Sequence, residues 1–139
     1  MSTVIRAEIS KKKKYHVNKE RYYELKHFCL QYPYWKKLYS ETQSGFFPGG
    51  IILKNIDVGS TPDFTADLAI ERMEILDKIQ LVEECARLTD PDLAIYIFKA
   101  VTEGRSFAYL SGVMNIPCGK DMFYDRYRKF FWLLDKKRT

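Results

Sequence analysis

Residues 90–138 read DPDLAIYIFKAVTEGRSFAYLSGVMNIPCGKDMFYDRYRKFFWLLDKKR, and the punctuation inside this stretch decides the fold. Asp90-Pro91 is a helix-start signal, because Asp accepts from free amides and Pro at a first helical position loses no needed hydrogen bond. It predicts a helix over 92–102 carrying Leu93, Ile95, Tyr96, Ile97, Phe98 and Val101, closed at Glu103-Gly104 by glycine's left-handed conformation. Ser106 then caps a second helix, to about 114, with Phe107, Leu110 and Val113 facing inward. The turn Asn115-Ile116-Pro117-Cys118-Gly119 follows, and a third helix runs from Lys120 to about Lys136. Short helix, turn, long helix is the order of a helix-turn-helix unit.

At 3.6 residues per turn, Phe123, Tyr127, Phe130 and Leu134 share one side of the third helix, with Phe131 at its margin, and form its core face. The other side displays Lys120, Asp121, Tyr124, Asp125, Arg128, Lys129 and Trp132. On a recognition helix the N-terminal side chains reach base edges while Lys and Arg hold phosphates. Arg128 suits a bidentate contact to guanine, and Asp125 either orients it or accepts from cytosine. Arg105 and Ser106, opening the preceding helix, are placed for the DNA backbone. An ordinary amphipathic C-terminal helix is the alternative reading of the same pattern.

Upstream, Asn18 is a plausible N-cap for a helix over 19–31 with Tyr22, Leu25 and Cys29 at helical spacing. Pro33 breaks it, and a second short helix carries Tyr34, Trp35, Leu38 and Tyr39, so 18–43 is expected to be a helical hairpin. Residues 44–64 hold Gly45, Pro48, Gly49, Gly50, Gly59 and Pro62 and read as a long Gly/Pro-rich loop with room for one short strand. A long helix over 65–89, capped by Asp63 or Thr65, places Leu68, Ala69, Met73, Leu76, Ile79, Val82 and Ala86 on a core-facing stripe. Its acidic residues Asp67, Glu71, Glu74, Asp77, Glu83 and Glu84 read as a solvated face, and Leu68, Ile75 and Val82, seven apart, as a short possible dimer seam. Residues 1–17, with Lys11, Lys12, Lys13 and Lys14 in succession, read as a flexible basic arm that adds phosphate contacts on DNA. The expected architecture is an all-α helical bundle, one domain over 18–139, with a C-terminal helix-turn-helix unit over 91–138.

Composition fits this reading. The chain has 139 residues and a net charge of +5, of which residues 1–40 carry +7, residues 41–104 carry −7 and residues 105–139 carry +5. A polyanion would therefore meet the two ends of the chain. Aromatic residues make up 15%, many of them beside Lys or Arg. Cys29, Cys85 and Cys118 are odd in number, and with His16 and His27 they form no metal-ligand spacing, so no disulfide framework, metal or cofactor is expected. Cys118 precedes a helix, where a lowered thiol pKa is conceivable, although a small apolar residue in a turn explains it as well. No constellation for catalysis is present: the Gly-rich piece 45–50 lacks the order of a phosphate loop, and no nucleophile motif or metalloprotease motif occurs. No apolar run reaches the length of a membrane span, and the basic start lacks a signal peptide's apolar region, which predicts a cytoplasmic protein without membrane contact.

The stretches Thr102–Leu110, Ile116–Leu134 and Tyr22–Lys37 resemble small proteins found in prophages of Gram-positive bacteria. By size, and by a C-terminal segment similar to sigma factor region 4, the chain resembles phage late-gene regulators of the RinA and ArpU kind. That resemblance implies a sequence-specific transcriptional regulator, a homodimer on double-stranded DNA with host RNA polymerase or another host protein as a further partner, in which Lys120 to Lys129 enter the major groove. The turn Pro117-Cys118-Gly119 is longer than usual for such a unit, and Tyr and Phe are unusually dense in the reading helix. Two alternatives use the same residues: a phage-encoded inhibitor of a host nucleoprotein complex, of the anti-CRISPR or anti-restriction type, and a small-terminase-like packaging factor.

Overall fold

The structure is a computed structural model that describes residues 14–43, 46–47, 51–52 and 62–138, with side chains over 14–41 and 66–138. Its helices are α1 (Lys19–Leu30), α2 (Tyr32–Gln43), α3 (Pro62–Thr89), α4 (Ala94–Glu103), α5 (Phe107–Gly112) and α6 (Lys120–Lys137). The fold class is all-α. The one sheet among the described residues is an antiparallel ladder of β1 (Phe46–Phe47) and β2 (Ile51–Ile52), in the register Phe46 to Ile52 and Phe47 to Ile51. Most of the expected loop over 44–64 lies outside the described residues.

The expectation of one helical domain over 18–139 meets a chain that divides into two compact units, one of Met1–Gln31 with Leu81–Thr139 and one of Tyr32–Gln80. The first unit is built on α6. Helix α1 packs on α4 and α6, α4 on α5 and α6, and Leu25, Cys29, Val82, Cys85, Ile97, Leu110, Phe123, Phe130, Phe131 and Leu134 are all buried between them. Each large apolar side chain buried this way contributes roughly 1.5–3 kcal/mol. Rings meet edge to face across it, Tyr22 on Phe131 at 5.1 Å and Phe130 on Phe131 at 5.0 Å, while the Tyr22 and Tyr127 hydroxyls pair at 3.1 Å in the interior. In the second unit Trp35 and Tyr32 of α2 are buried, Lys78 lies over the Trp35 ring and Arg72 over Tyr39.

Local signals set the helix ends. Asn18 Oδ1 accepts from the Glu20 amide at 3.0 Å, and Ser106 Oγ from the Tyr109 amide at 3.2 Å, both as expected of N-caps. Gly104 closes α4 at φ 69°, the left-handed conformation that its lack of a Cβ permits. Other expectations need correction. Pro33 does not end α1; it lies in the first turn of α2, where its missing N–H costs nothing, and Gln31 is the single residue between the two helices. Asp63 and Thr65 lie inside α3, which begins at Pro62, so neither caps it. Asp90-Pro91 does not begin α4 either: Leu93 is its N-cap, and Asp90 closes the preceding turn by accepting from the Asp92 amide at 3.0 Å.

The apolar stripe of α3 agrees with the one expected at Leu68, Ile79, Val82 and Ala86 and departs from it at Ala69 and Met73. Met73 is 64% exposed and Ala69 is exposed, whereas Ile75, Cys85 and Thr89 are buried with Leu68, Ile79, Val82 and Ala86. At about 100° per residue Met73 stands about 140° from Leu68, and Ile75 only about 20° from it. Leu68, Ile75 and Val82 are therefore buried within the chain, and do not present a dimer seam. Val113, expected inside, is 62% exposed because α5 ends at Gly112 and Asn115 turns the chain through φ 54° to bury Ile116 instead.

Candidate nucleic-acid interface

Helix α6 is held from three directions, and these restraints decide which of its residues are available. Its apolar side, Phe123, Tyr127, Phe130, Phe131 and Leu134, is buried as expected. Its C-terminal part is tied to α1 by Arg21, whose Nε donates to Asp135 at 2.7 Å and whose Nη2 donates to the Arg138 carbonyl at 2.7 Å. Its N-terminal half is tied to the turn before α4 by Arg126, whose Nε donates to Asp90 Oδ2 at 2.9 Å while its Nη1 donates to Asp125. Burial of Asp90 opposes its ionisation, but the hydrogen bonds from Arg126 and the Asp92 and Leu93 amides outweigh it and hold the carboxyl below its usual range.

What remains open is the first turn. Lys120 and Asp121 are exposed, Met122 is 42% exposed, and Asp121 sits where the helix dipole favours a carboxylate. Tyr124 and Asp125, one turn on, are half-buried. Tyr124 joins a ring cluster with Phe107, Phe123 and Tyr127 at 6.5, 4.9 and 6.4 Å, which leaves its orientation fixed by the core. Arg105 is exposed, with its guanidinium 4.2 Å over the Tyr109 ring and its Nε donating to Glu103 at 3.2 Å. Ser106 is exposed too, but its hydroxyl is engaged in capping α5.

Arg128 departs most from its expected place. It is only 8% exposed, its Nε has no hydrogen-bond partner, and its nearest carboxylate, on Asp125, is 3.8 Å away and already engaged by Arg126. A side chain so enclosed does not reach into a DNA groove. Lys129 is half-buried, and Trp132 beyond it lies 5.2 Å from the ring of Tyr15.

The Tyr15 contact corrects the expected arm over 1–17. Tyr15 packs on Trp132, Val17 is buried and Asn18 caps α1, so 15–17 belong to the packed unit. Lys14 is exposed, with its Nζ 5.2 Å over the Tyr15 ring; Lys11, Lys12 and Lys13 lie outside the described residues. Lys136 covers Trp132 at 4.5 Å. Along α6 the residues Lys120, Tyr124, Arg128, Trp132 and Lys136 thus alternate cation and ring every four positions, neighbours on one row of the helix surface. Sequence reading passed over Tyr15 and Arg126. A ring directly after the lysine run was the signal for the first, but nothing local marks the pairing of Arg126 with Asp90, 36 residues away.

Burial pushes the thiols of Cys29, Cys85 and Cys118 upward, Cys85 to about 11, so Cys118 does not have the lowered pKa its place before a helix suggested. Among the described residues no three His, Cys, Asp or Glu side chains come together as a metal site, and no helix is long and apolar enough to cross a membrane. No family model, curated protein or solved structure matches the chain.

Proposed function

We propose that the protein is a DNA-binding transcriptional regulator, a phage late-gene activator of the RinA and ArpU kind, in which α5, the following turn and α6 act as a helix-turn-helix unit on duplex DNA. The observation that carries this reading is the open first turn of α6, with Lys120, Asp121 and Met122 exposed on a helix otherwise fixed to α1 and α4. A probing element needs side chains free at its N-terminus and a rigid mount behind them. Base contacts fall to Lys120 and Asp121, with Tyr124 and Asp125 at the edge, and phosphates to Arg105 and Lys129. Arg128 has no place in base reading, since burial keeps it from the groove.

The test is selection from a random duplex pool at two salt concentrations. An enriched site, lost in the double variant Lys120→Ala/Asp121→Ala, supports the regulator, and its half-site spacing reports whether a dimer binds. Retention without enrichment at either salt rejects sequence-specific reading and turns attention to an inhibitor acting on a host nucleoprotein complex.

A further inference from the structure

Three polar or charged side chains are buried among the described residues: Thr89, Thr102 and Arg128. Both threonines are satisfied inside the fold, each hydroxyl donating at 2.7 Å to a helical carbonyl one turn back, Thr89 to Cys85 and Thr102 to Phe98. Arg128 is not. It is 8% exposed, its Nε is sealed from solvent without a hydrogen-bond partner, and the approach of its Nη2 to Asp125 Oδ1, at 3.8 Å, is too long for a hydrogen bond. Arg21 and Arg126 show what the same residue type does where the fold itself uses it, since each donates to two side-chain carboxylates. A guanidinium presents its N–H donors in a rigid fork, and burying that fork without acceptors opposes folding. The fold alone gives no reason for an arginine at this position.

Its neighbours keep the group ordered and dry. One turn to either side on the same row of α6 stand Tyr124 and Trp132, both half-buried. Phe107, Phe123 and Tyr127 surround the first ring, and Tyr15 covers the second at 5.2 Å. Between such neighbours a charge interaction is stronger than in open solvent. The nearest carboxylate, Asp125, gives its other oxygen to Arg126, which also donates to Asp90.

We infer that Arg128 is the anchor of an oxyanion site on the flank of α6, one that takes a phosphate group at the Nη end of the guanidinium. Phosphate is favoured over carboxylate by the charge of the segment: residues 105–139 carry +5, Lys129 is the next residue, and a group of higher charge gains more from that potential. Its several acceptor oxygens also match the fork. The site stands independently of the DNA-binding reading. Where that reading holds, the group is a backbone phosphate, which positions the helix without reading sequence. Where it fails, the group is a free phosphate or a phosphate monoester.

The test is the thermal midpoint of the full chain in a titration with inorganic phosphate, set against chloride and acetate at equal ionic strength. Phosphate is expected to raise the midpoint saturably, by about 5 °C at about ten times its dissociation constant, and acetate by less than half as much. Arg128→Met is expected to lose the saturable rise and keep only the shallow, linear one that phosphate gives any fold. Arg128→Lys, which keeps the charge but not the fork, is expected to lose most of it, and carries the comparison should the methionine variant not fold. A saturable rise that persists in Arg128→Met, one matched by acetate, or none in the unaltered chain overturns the site, and each leaves DNA binding untouched. Binding to a random-sequence duplex across a salt series then separates the two sources. A backbone phosphate at Arg128 predicts that Arg128→Met lowers the slope of log K against log salt by about 0.9. An unchanged slope beside a lost phosphate shift assigns the site to the free phosphate or monoester, and absence of duplex binding overturns the DNA-binding reading alone.

Discussion

Two arginines only two residues apart on α6, Arg126 and Arg128, are expected to respond differently to the same substitution. Arg126 donates to Asp90 at 2.9 Å and to Asp125, with its side chain 29% exposed and that of Asp90 15%. A charge-assisted hydrogen bond contributes roughly 1.5–3 kcal/mol, reduced here by partial solvent screening, so Arg126→Met should cost about 1–2 kcal/mol. Arg128 is more deeply enclosed and worse paired, with an unpartnered Nε and one carboxylate at 3.8 Å. Coulomb attraction at that distance is about 4 kcal/mol at an effective dielectric of 20. Dehydration of a buried guanidinium costs several kcal/mol, and Arg126 repels it across the shared carboxylate. The terms nearly cancel, and Met returns apolar volume to the site, so Arg128→Met should leave stability within about 0.5 kcal/mol of the original or raise it. Urea unfolding followed by far-ultraviolet circular dichroism separates the cases. With a denaturant slope of about 2 kcal/mol per molar, Arg126→Met should lower the midpoint by about 0.5–1 M and Arg128→Met should not lower it. If Arg128→Met proves the more destabilising of the two, the assignment of Arg126 as the clamp and Arg128 as the under-paired cation is wrong.

Gly104→Ala should cost about 1–2 kcal/mol through backbone strain alone, since φ is 69° and the added Cβ would meet only Leu30 Cδ2 at an ordinary 3.8 Å; an unchanged thermal midpoint would contradict this. Asp90 is held below its ordinary carboxyl range in the fold, so its contribution is fully present above the unfolded value of about 3.9 and is lost as pH falls through the lower folded value. Asp90→Asn should flatten stability across that acid window, as measured by urea midpoints from pH 5 downward. Cys29 and Cys85 are fully buried and their thiols pushed up, whereas Cys118 is half-buried. A thiol reagent at pH 8 should label one cysteine per native chain quickly and all three only after denaturation; rapid labelling of two or three would refute the burial of Cys29 and Cys85.

The C-terminal helices were legible because their boundaries are local. Ser106 caps, Gly104 turns left-handed and Pro117 to Gly119 interrupt, and each effect reaches no further than a few residues. Phase on the long helix was harder, because α3 spreads apolar residues around most of its circumference, and only the packing partner decides that Ile75 goes in and Met73 out. The candidate interface suffered from the same limit. A helical wheel supposes one buried side, but Arg128 and Trp132 stand about 140° and 180° from Phe123 and are covered nonetheless, Trp132 by Tyr15. Contacts that join residues more than a hundred positions apart, such as Tyr15 with Trp132 or Arg21 with Asp135, leave no periodic trace in a sequence.

The two tryptophans fall one to each compact unit. Trp35 is sealed at 3% exposure in the Tyr32–Gln80 unit, and Trp132 is half-open beside Lys136 in the other. The chain therefore carries its own pair of optical probes, a shielded indole expected to emit to the blue and a partly exposed one expected to emit further to the red. With Trp35→Phe or Trp132→Phe each unit's melting is seen alone, so its cooperativity with the other becomes a question of whether two emission curves superimpose.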